Sequence, residues 1–378
     1  MPVFGQAVRH YWTLDPSAAH LNHGSFGATP KPVLAAQDAI RQEMEGAIGD
    51  FFVSQLATRL RQGAEHIAPY LGAAGEDLVF LDNATTGMQA VIGSLDLTAG
   101  DEILITDQTY GAVRNIARHY TARVGARLIE VALPFPIADD GRAILAAYTK
   151  GLGPRTRLVV LDHVTSGTAL VMPLEGMIAK ARSIGAMVLV DGAHAPGQID
   201  LDLRKLDADF YTGNFHKWFM APKGAAFLWT RRELQKVLHP PVISHGYGAG
   251  YVAEFDWTGT RDPSAYLSVA AALAFRERFG DGSVKARNRA LAAEAGQRLA
   301  KAWKTRIGGP AISGASMCMI ELPIRSGNPL ELRLKLWRDH RIDVPINALA
   351  GGLWVRISAQ IYNEMADYDR LAKAVLAW

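Results

Sequence analysis

Seven short apolar runs recur through the first two thirds of the chain, and they leave few folds open. They are "DLVFL" (77–81), "EILIT" (102–106), "ARLIEVAL" (126–133), "RLVVLDHV" (157–164), "AMVLVDGAH" (186–194), "ADFYTG" (208–213) and "GAAFLW" (224–229). Runs this short and this apolar read as strands buried on both faces. Helical patterns such as "TTGMQAVIGSLDL", "AVRNIARHYTARVG" and "LEGMIAKARSIG" lie between several of them. Strand, helix, strand at this spacing predicts an α/β fold, with a parallel or mixed sheet covered by helices on both sides. After residue 260 the texture changes to long helices ("SVAAALAFRERFG", "VKARNRALAAEAGQRLAKAWKT"), then "SMCMIELP", "PLELRLKLWRDH", "LWVRIS" and "ADYDRLAKAVLAW". That is the pattern of a smaller α+β unit.

Composition excludes several classes. The 378 residues are 49% hydrophobic and 20% charged, enough for a sizeable core. Net charge is only +3, from 40 basic and 37 acidic residues without long blocks, so no nucleic-acid footprint is expected. One cysteine, Cys318, excludes a disulfide framework and a cysteine-based metal cluster. No run reaches the ~18 apolar residues of a membrane span, and the start, "MPVFGQAVRHYWTLDPS", lacks secretory features. A cytoplasmic protein is expected.

Open α/β sheets bind ligands beyond the carboxyl ends of their strands, and here those ends carry useful side chains. One ends in Asp191 and His194, another in His163, Thr165 and Ser166, a third in Thr212, Asn214, His216 and Lys217. "VFLDNATTG" runs from a strand end into a helix start, where it caps the helix or binds an anion. Singly, each has a plain structural reading: Asp-Gly is a common turn, and a lone histidine is usually a hydrogen-bonded core residue. Lys217, set among apolar residues in "GNFHKWFMAPKG", either snorkels to water or is desolvated for covalent chemistry. Together they fit one cofactor, pyridoxal 5'-phosphate. It needs a lysine for the Schiff base, a carboxylate for the ring nitrogen, a partner for the ring oxygen and an anion site for the phosphate.

The segment "VDGAHAPGQIDLDLRKLDADFYTGNFHKWFMAPKGAAFLW" resembles the cofactor segment of class V aminotransferase-fold enzymes, especially the isopenicillin N epimerase-like branch. "LNHGSFGATP", "NATTGMQAV", "HVTSGTALVMP", "WTGTRDPSAY" and "VRISAQIYNEMADYDRL" are similar too, in the family's order and across nearly the whole chain. The resemblance implies fold type I. Its parts would be a large domain (21–258) with a mainly parallel seven-stranded sheet, a smaller C-terminal domain (259–378), and residues 1–20 packed against the latter. It further implies that Lys217 forms the Schiff base and shuttles a proton at Cα, that Asp191 pairs with the ring nitrogen, and that His194 and Ser166 flank the ring oxygen. Tyr110 would stack on the ring. Ala84, Thr85 and Thr86 would hold the phosphate with His216, Thr212 and Asn214, although "TGNFHK" is two residues longer than many relatives' "SGHK". Gly259 and Thr260 would reach the phosphate of the other subunit of a homodimer with shared sites. Arg356 would clamp an amino-acid carboxylate, with Asn22 and His23 nearby.

The same fold hosts many reactions. Cys318 lies in an alternating strand-like segment, where a buried thiol is inert, so persulfide chemistry is not expected. The resemblance favours an amino-acid epimerase or racemase working through a quinonoid carbanion. The alternatives are a C–S or C–Se lyase and a class V aminotransferase. A metal-binding α/β protein built on His163, His194 and His216 is a distant rival, since their spacing is not that of a metal site. No metal is expected.

Overall fold

A computed structural model describes residues 3–139, 141–310 and 315–378. All seven apolar runs form strands of one sheet: β1 (Leu78–Leu81), β2 (Glu102–Thr106), β3 (Arg127–Val131), β4 (Thr156–Asp162), β5 (Met187–Gly192), β6 (Phe210–Asn214) and β7 (Ala226–Thr230). Their order across the sheet is β1-β7-β6-β5-β4-β2-β3, and only β7 runs against its neighbours.

Why the runs are apolar throughout is plain from the two cores they feed. Phe80, Leu104, Val159 and Val188 enter the cluster on one face; Val79, Ile103, Leu158 and Leu189 enter the cluster on the other. Successive strand residues point to opposite faces, so a strand covered on both sides needs hydrophobics at every position. The helices that provide this cover include α1 (Ala84–Ser94), α2 (Gly111–Val124) and α3 (Leu174–Arg182). Asn83 caps α1, its Oδ1 accepting the Thr86 N–H at 3.0 Å.

A third cluster gathers Leu21, Leu291, Ile320, Val355 and Leu371. It lies between α4 (Asp281–Trp303) and α5 (Met365–Leu376) and a three-stranded antiparallel sheet. That sheet contains β8 (Met317–Glu321), β9 (Ile346–Leu349) and β10 (Gly352–Ser358), in the order β9-β10-β8. Ala19–His20 pairs in parallel with Ile342–Asp343, which ties the start of the chain to this unit. Among the described residues no helix is long and apolar enough to cross a membrane.

Candidate active site

The carboxyl ends of β4, β5 and β6 lie side by side, and their register sets Asp162 opposite Asp191 and Asp191 opposite Thr212. Beyond β6 the chain turns sharply. The amides of Phe215 and His216 both donate to the Ala225 carbonyl, at 2.9 and 3.1 Å, and Phe215, Trp218 and Phe219 are fully buried. The carbonyl of Lys217 accepts from His23 Nε2 at 3.1 Å, and that of Trp218 accepts from Arg276 Nη1 at 2.6 Å. Gly27 closes over this turn with φ +67°; a Cβ there would stand 2.0 Å from the His216 carbonyl oxygen, so no larger residue fits. Lys217 is thus held by its own backbone, and its side chain reaches into a cavity of about 180 Å³.

Asp191, His194 and Lys217 all line this cavity. Lys217 Nζ lies 3.1 Å from His194 Nε2, while His194 Nδ1 accepts from Trp218 Nε1 at 3.2 Å. Burial, more than any neighbour, lowers the Lys217 ammonium to about 8 and holds His194 well below the usual imidazole range. Asp191 accepts the Ala193 N–H at 2.9 Å, and burial pushes its carboxyl up despite the attraction of Lys217. A cationic ring nitrogen beside it would restore its ionised form.

Tyr110, half exposed at the start of α2, lines the same cavity. The anion end is the N-terminus of α1, an 11-residue helix whose dipole favours negative charge there. Ala84, Thr85, Asn214 and His216 line the cavity here. The Ala84 amide is already given to Asn214 Oδ1 at 2.8 Å, which leaves Thr85 to offer the amide and hydroxyl. His216 is lowered to about 4, chiefly by burial.

Several expected residues stand elsewhere. Thr86 closes the cap with Asn83. Thr212 turns its hydroxyl away to the Phe227 carbonyl at 2.8 Å, under Gly87, where a Cβ would meet that hydroxyl at 2.4 Å. His23 is buried beneath the Lys217 backbone, bonded to Tyr362, and lowered by burial to about 3. Gly259 is half-buried and Thr260 exposed, and neither lines the cavity of its own chain. His163 points off the far side of the strand to the Tyr211 hydroxyl at 2.8 Å.

Arg356 lies one layer behind the wall. Its Nη1 donates to the Ser166 carbonyl at 2.5 Å and its Nη2 to Ser25 Oγ at 2.9 Å and Asn22 Oδ1 at 3.4 Å, and Ser25 and Ser166 line the cavity. Its Nε is buried without a partner, and among the described residues no carboxylate pairs with it. Burial lowers it to about 10.

Asp162 and Trp218 are among the residues of the site that were not singled out from the sequence. Asp162 lines the cavity, 4% exposed, with Oδ2 unpartnered. Burial first, then the charge of Asp191, push it well above the carboxylate range. Its signal was an aspartate ending an apolar strand, as Asp191 does. Trp218 is discussed below. Cys318, in β8, is pushed up to about 12 by burial and lines no part of the cavity.

The residues present fit pyridoxal phosphate: a desolvated amine, a buried carboxylate, an aromatic side chain and the helix N-terminus at Thr85 share one cavity. Comparison with known proteins agrees. The family described as Aminotransferase class-V matches residues 27–371. The isopenicillin N epimerase of Amycolatopsis lactamdurans is 36% identical over 393 residues, covering 97% of each chain. A probable chloroplastic L-cysteine desulfhydrase of Arabidopsis thaliana is 36% identical over 400 residues, covering 96% of this chain and 83% of its own. Among solved structures, the cystine C–S lyase C-DES in complex with cysteine persulfide superposes with a TM-score of 0.81 at 23% identity, covering 95% of this chain and 97% of its own.

Proposed function

The chain belongs to the class V aminotransferase family of pyridoxal-phosphate-dependent enzymes, and from that premise we propose that it removes the Cα proton of an α-amino acid and returns a proton to the opposite face, as an epimerase or racemase. The observation that carries this reading is the meeting of Lys217 Nζ and His194 Nε2, 3.1 Å apart, in the cavity that Asp191 and Tyr110 also line. When bound, the cofactor's protonated ring supplies the electron sink for the Cα electron pair.

The chain's own residues supply the rest. Asp191 keeps the ring nitrogen protonated. Lys217, lowered to about 8, alternates between proton acceptor and donor at Cα near neutral pH. Thr85 and His216 hold the phosphate. Arg356 exchanges its contacts with Ser25 and Ser166 for the substrate carboxylate, which a planar guanidinium binds in two parallel hydrogen bonds. Tyr110, which lines the same cavity, donates the proton on the second face. We also propose a homodimer in which Gly259 and Thr260 complete the partner's phosphate site, with a small C-terminal domain beginning near residue 259.

A second reading is C–S elimination from a cysteine-like substrate, giving pyruvate, ammonia and sulfide. It is favoured by the desulfhydrase relative, as similar as the epimerase, and by its need for no base beyond Lys217. In deuterium oxide an epimerase puts deuterium at Cα of both enantiomers and releases no keto acid. Stoichiometric pyruvate from cysteine would establish the second reading and overturn the first.

A further inference from the structure

Trp218 follows Lys217 directly and is completely buried, yet its one polar atom is not spent on the backbone. Its indole N–H goes to Nδ1 of His194 at 3.2 Å. An indole nitrogen only donates, so Nδ1 must be a bare acceptor. That single contact decides the protonation of the whole pair. An imidazolium, or a neutral ring protonated on Nδ1, would set one N–H against another. An imidazolate would be an uncompensated anion in a buried site. Only the neutral ring with its proton on Nε2 remains.

Nε2 faces Lys217 Nζ at 3.1 Å. An N–H there needs an acceptor, and an ammonium has no lone pair to offer. The lysine must therefore be the free amine.

We infer that Trp218 is a positioning residue: its indole N–H fixes His194 as the Nε2–H tautomer, and His194 in turn holds Lys217 as a nucleophilic amine. The charged groups facing the pair act in mixed directions. Asp191 favours the ammonium, whereas Arg356 opposes it, and burial outweighs both. His194 is lowered by burial first, then by Lys217, Arg356 and His216. Both groups are shifted downward, the direction the hydrogen bonds require. The meaning of this for catalysis rests on Lys217 being the cofactor lysine; the geometry of the triad does not. Neither would a phenylalanine do the same work, because it fills the space without donating.

The test uses cofactor-free protein with ¹⁵N-labelled histidine, the His194 signals being identified by their loss in His194→Gln. The expected spectrum at neutral pH is a neutral ring protonated on Nε2. A ring protonated on Nδ1, or on both nitrogens, overturns the inference with no variant needed. In Trp218→Phe the Nδ1–H form should become populated and Lys217 should gain access to its ammonium. Acetylation of Lys217 at neutral pH, followed by peptide mapping, should then slow about tenfold and recover about one pH unit higher. An unchanged tautomer with unchanged labelling in a folded Trp218→Phe protein would also overturn it. Reductive trapping of the cofactor on a different lysine would instead sink the functional reading and leave the tautomer result standing.

Discussion

Two regions of this molecule are each built around a buried arginine, and they treat it in opposite ways. Arg276 is fully buried and each of its three nitrogens has a partner: Nε donates to Asp281 Oδ1 at 2.5 Å, Nη1 to the Trp218 carbonyl at 2.6 Å and Nη2 to the Gly197 carbonyl at 2.9 Å. Its charge is met by Asp281, which Lys285 also contacts at 2.8 Å. Arg356 is equally hidden, 4% exposed, but is met by a carbonyl, a hydroxyl and an amide, and its Nε has nothing. A buried charge with its counterion is part of the scaffold; a buried charge without one is a demand for an anion that the chain does not itself contain. The lysines repeat the lesson. Hydrogen bonds to Asp200 and Asp281 raise Lys285, whereas burial lowers Lys217 to about 8.

The contrast can be broken by removing the charge of Arg276 and, separately, the guanidinium fork of Arg356. Arg276→Met leaves Asp281 half-stranded and should cost about 3–5 kcal/mol of stability in urea unfolding of the apoprotein. A loss below about 1 kcal/mol would mean that Arg276 is not the structural member of the pair. Arg356→Lys should do the reverse. Stability should move by less than about 1 kcal/mol, while kcat/KM on the amino-acid substrate falls by about 2 kcal/mol or more, roughly 30-fold, because a point charge does not reproduce the fork. Equal loss of stability and activity would erase the distinction.

The smallest effect belongs to Asp162, the carboxyl beside Asp191. Its folded pKa lies above the unfolded value of 3.8, so the folded state holds the proton more tightly. The stability it contributes is complete in acid and is lost as pH rises through the window above 3.8. Asp162→Asn, neutral at every pH, should remove that part of the decline in melting temperature of the apoprotein. Parallel pH curves for wild type and variant would show that Asp162 is ionised in the fold. Arg114 and Thr109 face it in both proteins, whereas Asp191 titrates together with Asp162, so the difference between the curves belongs to the pair.

Much of this was legible in the sequence, for a physical reason. Strands buried on both faces must be apolar at every position, so "RLVVLDHV" and "AMVLVDGAH" announced β4 and β5. Less regular elements were silent. The short strand Ile346–Leu349 has only one fully buried residue and is defined by its partner in the hairpin. The helices Lys31–Gly46 and Leu56–Ile67, with the π-helical turn Phe51–Gln55 between them, were not read at all. In the site, residue types were visible but directions were not. At a strand end one position decides the face: Asp162 meets the cavity and His163 leaves it, although the histidine looked the better candidate. Thr212 sits in register with Asp191 and still spends its hydroxyl on Phe227. Arg356 carried no local signal, and only the family resemblance pointed to it.

The central claim is that Lys217 alone carries the cofactor. Borohydride reduction of the protein as purified, followed by digestion and mass mapping, should find a single pyridoxyl group, on the peptide containing Lys217. Lys217→Ala should show no pyridoxyl lysine there or elsewhere. A pyridoxyl group on any other lysine of the wild-type chain, with Lys217 unmodified, would contradict the account.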